Sequence, residues 1–165
     1  LPTLLAAVGC PPEPQMVGRS LLPLLAGETA SHRDAVFVEK TFFQIYDPMR
    51  GVRTADWLYI KNFELCRWCE TPLDCYGSGA EQEIGSRYVG GHPADELYRL
   101  PDDPWGEHNL ADDPTHAAVL HDLQGRLGVW MRETADPLLA GPVHSPYHTR
   151  EVNSLLAAAR ERGAG

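Results

Sequence analysis

Hydrophobic residues follow two different periods in this chain. Leu120, Leu123, Leu127, Trp130 and Thr134 recur at spacings of three and four, which lines one face of a helix. Asp113 and Pro114 stand just before them. Asp is a good N-cap and Pro a good first helical residue, so the pattern predicts a helix over 114–134. Trp130 is expected on its buried face, where truncation would cost about 3–5 kcal/mol. Short runs rich in β-branched and aromatic residues predict strands at 35–39, 48–54, 57–63 and 97–100. Thr54-Ala55-Asp56 is short enough for a hairpin turn between the middle two. In the third run Trp57, Tyr59, Lys61 and Phe63 point one way, and Leu58, Ile60 and Asn62 the other. Both faces carry apolar groups, so this strand reads as central. The expected class is α+β: a small four-stranded antiparallel sheet packed by a C-terminal helix.

The remaining stretches are punctuated. Leu1 to Val8 reads as a helix that Gly9 stops, and Pro11-Pro12-Glu13-Pro14 forces a loop. Gly18 to Gly27 is short and apolar, with Arg19 read as a clamp on nearby loop carbonyls. Glu64 to Pro93 is polar, Gly-rich and weakly periodic, and loops of that length are usually functional or mobile. After Pro137 the tail holds Gly141-Pro142, Ser145-Pro146 and a partly amphipathic stretch over Val152–Arg160.

Composition narrows the function classes. The chain has 165 residues, one domain by length, and 43% are hydrophobic, enough for a real core. A net charge of −9 without a basic run argues against a nucleic-acid partner. No apolar run approaches the ~20 residues of a membrane span. The chain begins at Leu1 inside a helix and reads as a fragment of a longer protein. Its four Cys do not fix a compartment. Cys66 and Cys69 form Cys-x-x-Cys, Cys75 is near and Cys10 far. Zinc would want two close pairs, and a redox motif would want the pair opening a helix. Ordinary thiols or a local disulfide are the preferred reading, with metal binding and redox catalysis as alternatives. The seven His are scattered and read as surface or structural residues.

One stretch is more specific. Glu96-Leu97-Tyr98, then Asp103-Pro104, Glu107, Asn109-Leu110-Ala111 and Asp113-Pro114 resemble the C-terminal signature of the sulfatase family. Gly18-Arg19-Ser20-Leu21-Leu22-Pro23-Leu24-Leu25 is similar to the segment that leads out of the large catalytic domain in that family. Trp130 to Pro137 and Pro48-Met49-Arg50 resemble the heparan N-sulfatase branch, whose relatives also carry an insertion in the region of 64–93. The resemblance implies the C-terminal subdomain of an alkaline-phosphatase-like sulfatase fold. Residues 1–34 would end the catalytic-domain helix and its connecting loop, 35–137 would be the subdomain, and 138–165 a tail.

The resemblance also implies a machine: a formylglycine made from Cys or Ser in Cys/Ser-x-Pro-x-Arg, and a calcium ion held by Asp and Asn. Neither is expected here. Cys10 is followed by Pro11-Pro12-Glu13-Pro14, no Ser does better, and Asp102-Asp103 and Asp112-Asp113 read as caps in Pro-flanked turns. No catalytic residue, metal ligand or cofactor is therefore assigned to this chain. Calcium and formylglycine are expected in an N-terminal sulfatase catalytic domain, the first expected partner. A sulfated small molecule or saccharide is the second, and a second copy is a candidate third. Residues 39–50 are expected to leave one strand, loop, and enter the next as a substrate wall. Lys40 and Arg50 would supply charge, and Phe42, Phe43 and Tyr46 flat apolar surface. Arg50 has an alternative, pairing with a loop carboxylate, and the aromatics an alternative as interface residues. Competing with the sulfatase reading are a free-standing carbohydrate- or protein-binding module and the tail of a phosphodiesterase-like hydrolase.

Overall fold

The structure is a computed structural model that describes residues 1–42, 46–64, 78–84, 92–143, 145 and 150. The chain divides into two units, Leu1–Val36 and Phe37–Gly165.

In the first unit, helix α1 spans Pro2–Ala7, with Pro at a position whose N–H would have no partner anyway. Gly9 ends it in the left-handed region, at φ +73°. Helix α2 is a single turn, Leu22–Leu25. Thr3 Oγ1 accepts from the Leu21 N–H at 3.1 Å, which ties the two together. The clamp expected of Arg19 is made by Arg33, which donates to the Val17 carbonyl at 2.7 Å, while Arg19 is exposed. The path of the chain, not nearness in sequence, decides which guanidinium reaches that carbonyl.

The second unit holds the sheet. Strand β1 is Val36–Phe42, β2 Tyr46–Arg53, β3 Trp57–Asn62 and β4 Asp95–Arg99, ordered β1-β2-β3-β4. The antiparallel register pairs Val52 with Tyr59 and Tyr59 with Leu97 on one face, and Gly51 with Ile60 and Ile60 with Glu96 on the other. A short helix α3, Gly79–Ile84, lies between β3 and β4. A 3-10 turn, Pro114–His116, opens α4, Ala117–Glu133, and a second, Pro137–Ala140, follows it. Asp113 caps as expected, its Oδ1 accepting from the Thr115 N–H at 2.9 Å.

Helix α4 packs on β2 and β3. Its buried residues are Leu123, Leu127 and Met131, over Val52, Tyr59 and Leu97. This corrects one expectation. Trp130 is only half-buried and stacks on Phe37 of β1, ring centroids 5.1 Å apart and planes 3° apart. Both i+3 and i+4 from Leu127 fit a helical stripe, and the sheet beneath picks the second. A further difference bears on the candidate site. β1 runs to Phe42 and β2 begins at Tyr46, so residues 39–50 are mostly paired strand. Arg50 lies inside β2 instead of beginning it. The Cys66–Cys75 cluster and the Val152–Arg160 stretch lie outside the described residues.

Leu127→Ala should lower unfolding free energy by about 2–5 kcal/mol in urea titration, and Trp130→Ala by less, because its ring is part-solvated. The glycines make an opposite pair. Gly125 sits inside α4 with open space where a Cβ would go, so Gly125→Ala should stabilise by about 0.5–1 kcal/mol. At Gly51 a Cβ would lie 2.9 Å from Val38 Cγ2 and 3.1 Å from the Tyr59 carbonyl oxygen. Gly51→Ala should therefore lose about 1–3 kcal/mol in the same titration.

Candidate functional site

The residues singled out for substrate contact lie on the β1 and β2 stems. Strand alternation puts Val38, Lys40 and Phe42 on the sheet face away from α4, and turns Phe37 and Thr41 toward it. Lys40 Nζ donates to Asp47 Oδ2 at 2.6 Å, with the Lys side chain 31% exposed and the Asp 3%. The Phe42 and Tyr46 rings meet at 5.0 Å, tilted by 44°. Tyr46 Oη accepts from the Val143 N–H at 2.9 Å. Phe43 lies outside the described residues. Beside Lys40 a hollow of about 220 Å³ is lined by Val38, Met49, Gly51 and Ile60.

Arg50 takes its alternative role. Its side chain is 2% exposed and turns under the sheet toward α4. Nε donates to Asp136 Oδ2 at 2.5 Å and Nη2 to Asp136 Oδ1 at 3.2 Å. Nη1 donates to the Lys40 and Met49 carbonyls, each at 2.9 Å, and Nη2 also to Thr41 Oγ1 at 3.1 Å. A guanidinium has five N–H donors, and all five are engaged inside the protein. The structure thus brings Lys40, Phe42 and Tyr46 to one rim and sets Arg50 beneath it.

Sequence reasoning missed two polar clusters, one buried around Glu96 and one part-exposed around Asp95. Glu96 accepts from Tyr98 Oη at 2.5 Å and from Asn62 Nδ2 at 2.6 Å, with His92 Nδ1 at 3.5 Å. Asp95 accepts from Tyr59 Oη at 2.6 Å, Lys61 Nζ at 3.1 Å and Gln124 Nε2 at 3.3 Å. Burial raises the Tyr59 phenol, and the Asp95 carboxylate raises it further. For Tyr98, burial and then Glu96 do the same. Asn109 extends the β4 ladder. Its Oδ1 accepts from the Leu97 N–H at 2.8 Å and its Nδ2 donates to the Asp95 carbonyl at 3.0 Å. Alternation in β3 and β4 was the only signal for these clusters, since it places Asn62, Glu96 and Tyr98 on one face.

The acidic loop is braced by its own carboxylates. Asp103 accepts from the Glu107 and His108 N–H groups at 3.0 and 2.9 Å, which hold its carboxyl below the usual range. Asp102 pairs with Arg99. Among the described residues no three His, Cys, Asp or Glu side chains gather where they could hold a metal ion.

No family model matches the chain. Over 162 residues, 93% of this chain, it is 29% identical to an ulvan-active sulfatase of Formosa agariphila. The chain is similar to the C-terminal part of a sulfatase. It spans 32% of that relative's length. Among solved structures, the sulfatase-like chain shares a fold with a 2-O GAG sulfatase, at TM-score 0.61 and 21% identity over 92% of this chain and 31% of that one. A phosphonate monoester hydrolase of Agrobacterium radiobacter follows at TM-score 0.53 and 23% identity, covering 84% of this chain and 25% of that one. The residues that first suggested a sulfatase are framework. Glu96, Tyr98, Asn109, Asp103 and Asp113 bond to strands, turns and caps.

Asp136 gives the unit a pH dependence. Burial pushes its carboxyl up, but the Arg50 hydrogen bond, the Leu138 N–H and the Arg50 charge outweigh this and lower it. A lowered folded value means that the stabilisation is complete above the ordinary carboxylate range. It is lost as pH falls from about 5 through the folded value. Asp136→Ala should cost about 3–5 kcal/mol at pH 7, since it strands a buried guanidinium. The loss should shrink toward pH 2 in chemical denaturation at both pH values.

Proposed function

We propose that this chain is the C-terminal part of a sulfatase that hydrolyses sulfate esters or sulfamates of a sulfated saccharide. The observation that carries this reading is the 29% identity over 93% of the chain to the ulvan-active sulfatase. The likeness to the 2-O GAG sulfatase supports the fold. The resemblance of Pro48–Arg50 and Trp130–Pro137 to the heparan N-sulfatase branch keeps a sulfamate beside a sulfate ester among the candidate bonds.

In this reading the nucleophile and metal come from a catalytic part outside the chain. The described residues do not fit a calcium site, because Asp103 and Asp113 are engaged by backbone N–H groups and Asp102 by Arg99. A formylglycine and calcium elsewhere would supply attack at sulfur and polarisation of the sulfate. This chain contributes a rim. Phe42 and Tyr46 offer ring faces to a sugar. The Lys40 ammonium supplies a donor, and its charge is offset by Asp47, so the rim favours the sugar's hydroxyls over its sulfate. The half-exposed apolar surface around Val38 would dock on the catalytic part.

The test is the full-length protein on three substrates: a sulfated oligosaccharide, a small aryl sulfate and a phosphonate monoester. Sulfate release from the first is expected, with no turnover by the 165-residue chain alone. Hydrolysis of the phosphonate without sulfate release would favour the phosphonate or phosphodiester reading. Phe42→Ala and Lys40→Ala in the full-length protein should raise KM for the oligosaccharide by roughly three- to tenfold while leaving the aryl sulfate nearly unaffected, because the lost binding is remote from sulfur. Equal losses on both substrates would move these residues to the chemical centre.

A further inference from the structure

We infer that Asp136 and Thr41 are positioning residues for the Phe42–Tyr46 rim, acting through Arg50. The inference rests on the saccharide-rim reading for its functional consequence but not for its mechanics.

The rim occupies the ends of two strands, which the Lys40–Asp47 ion pair ties to each other but not to the helix beneath the sheet. The guanidinium adds that tie. It is planar, and its donors point in fixed directions. Two of them grip the β1 end, through the Lys40 carbonyl at 2.9 Å and Thr41 Oγ1 at 3.1 Å. One returns to the Met49 carbonyl on its own strand. Two converge on Asp136, just beyond the end of α4. The last residue before the rim is thus referenced to the helix that fixes the core. Asp136 is fixed in turn, since its Oδ1 also accepts from the Leu138 N–H at 3.0 Å. The same C-terminal stretch makes a second grip. The Val143 N–H donates to Tyr46 Oη at 2.9 Å. Phe42 is therefore set from below by Arg50, and Tyr46 is set at its hydroxyl by the tail.

A lysine at position 50 could not reproduce this. It has three donors around a point, where five in a plane are used. The pair also sits where it is expensive to break, since both side chains are 2% exposed. A residue that only stabilised the sheet could bond Asp136 without also gripping the two residues that precede Phe42.

The experiment uses the full-length protein with Asp136→Asn, Thr41→Val and Thr41→Ser. Asp136→Asn keeps the shape and turns a donor toward a donor. Thr41→Val removes one acceptor with little change of volume, and Thr41→Ser restores it. Amide hydrogen exchange at Thr41, Phe42, Tyr46 and Asp47 should quicken roughly tenfold or more in Asp136→Asn, less in Thr41→Val, and return to the wild-type rate in Thr41→Ser. KM for the sulfated oligosaccharide should rise in the same order by roughly three- to tenfold, with kcat on the aryl sulfate held. A merely structural role would not divide the two substrates, nor be rescued by a hydroxyl. Unchanged exchange at those four amides in Asp136→Asn overturns the inference, whatever the protein hydrolyses. So does quickened exchange with an unchanged oligosaccharide KM in a wild type that releases sulfate. A wild type that releases no sulfate, with quickened exchange in the variants, overturns the sulfatase reading and leaves the mechanical grip standing.

Discussion

A buried guanidinium with five engaged donors sets the terms for this structure. Arg50 sits inside a strand, under the sheet, where an uncompensated charge would not be tolerated. Its solvation shell has been replaced by hydrogen bonds to the Asp136 carboxylate, two carbonyls and one hydroxyl, with the Glu39 carboxylate 3.7 Å away. That replacement requires three separate parts of the chain to arrive together: the end of β1, the middle of β2 and the turn after α4. The apolar contacts of Leu123, Leu127 and Met131 bring α4 onto the sheet but leave its sliding and rotation loosely specified, because apolar contact is non-directional. The bidentate contact to Asp136 removes that freedom.

Much of the fold was legible from local pattern. The central position of β3 followed from apolar groups on both its faces, and the cap at Asp113 from residue chemistry alone. The signature around Glu96 and Asn109 was visible as spacing, but its physical meaning was not. Asn109 behaves as an extra rung of β4, and Glu96 as the acceptor for Tyr98 and Asn62, which only strand pairing reveals. The choice between Trp130 and Met131 for the buried face was undecidable from period, since both fit it. The length of β1 was underestimated because Lys40 and Thr41, just past the predicted end at Glu39, are not apolar. Their pairing is sustained by backbone bonds and by the groups beneath them.

The candidate rim was legible as residue types but not as geometry. Lys40 is offset by Asp47, seven residues on, a partner within reach of inspection. Arg50 was read with a substrate role first and a carboxylate partner second, and its actual carboxylate lies 86 residues away. No local rule connects them. This is a general reason why charged residues on strands are overassigned to ligands: the partner that satisfies them comes from tertiary structure. The charge left for a ligand at the rim is much smaller than the count of basic residues between 39 and 50 suggests.

The separation of those partners also bears on synthesis. β2 and β3 close over the short turn Thr54–Asp56, and such local contacts form early. Arg50 cannot be neutralised by Asp136, nor Tyr46 gripped by Val143, until chain 86 and 97 residues further on has been made. During that interval the nascent sheet carries a cation that it cannot yet bury, so the end of β1 should stay frayed on the ribosome while the rest of the meander pairs. The same order makes premature termination after α4 a distinctive lesion. Such a product would have its helix and its apolar core, yet keep one end of its sheet open and recognisable to quality-control proteases.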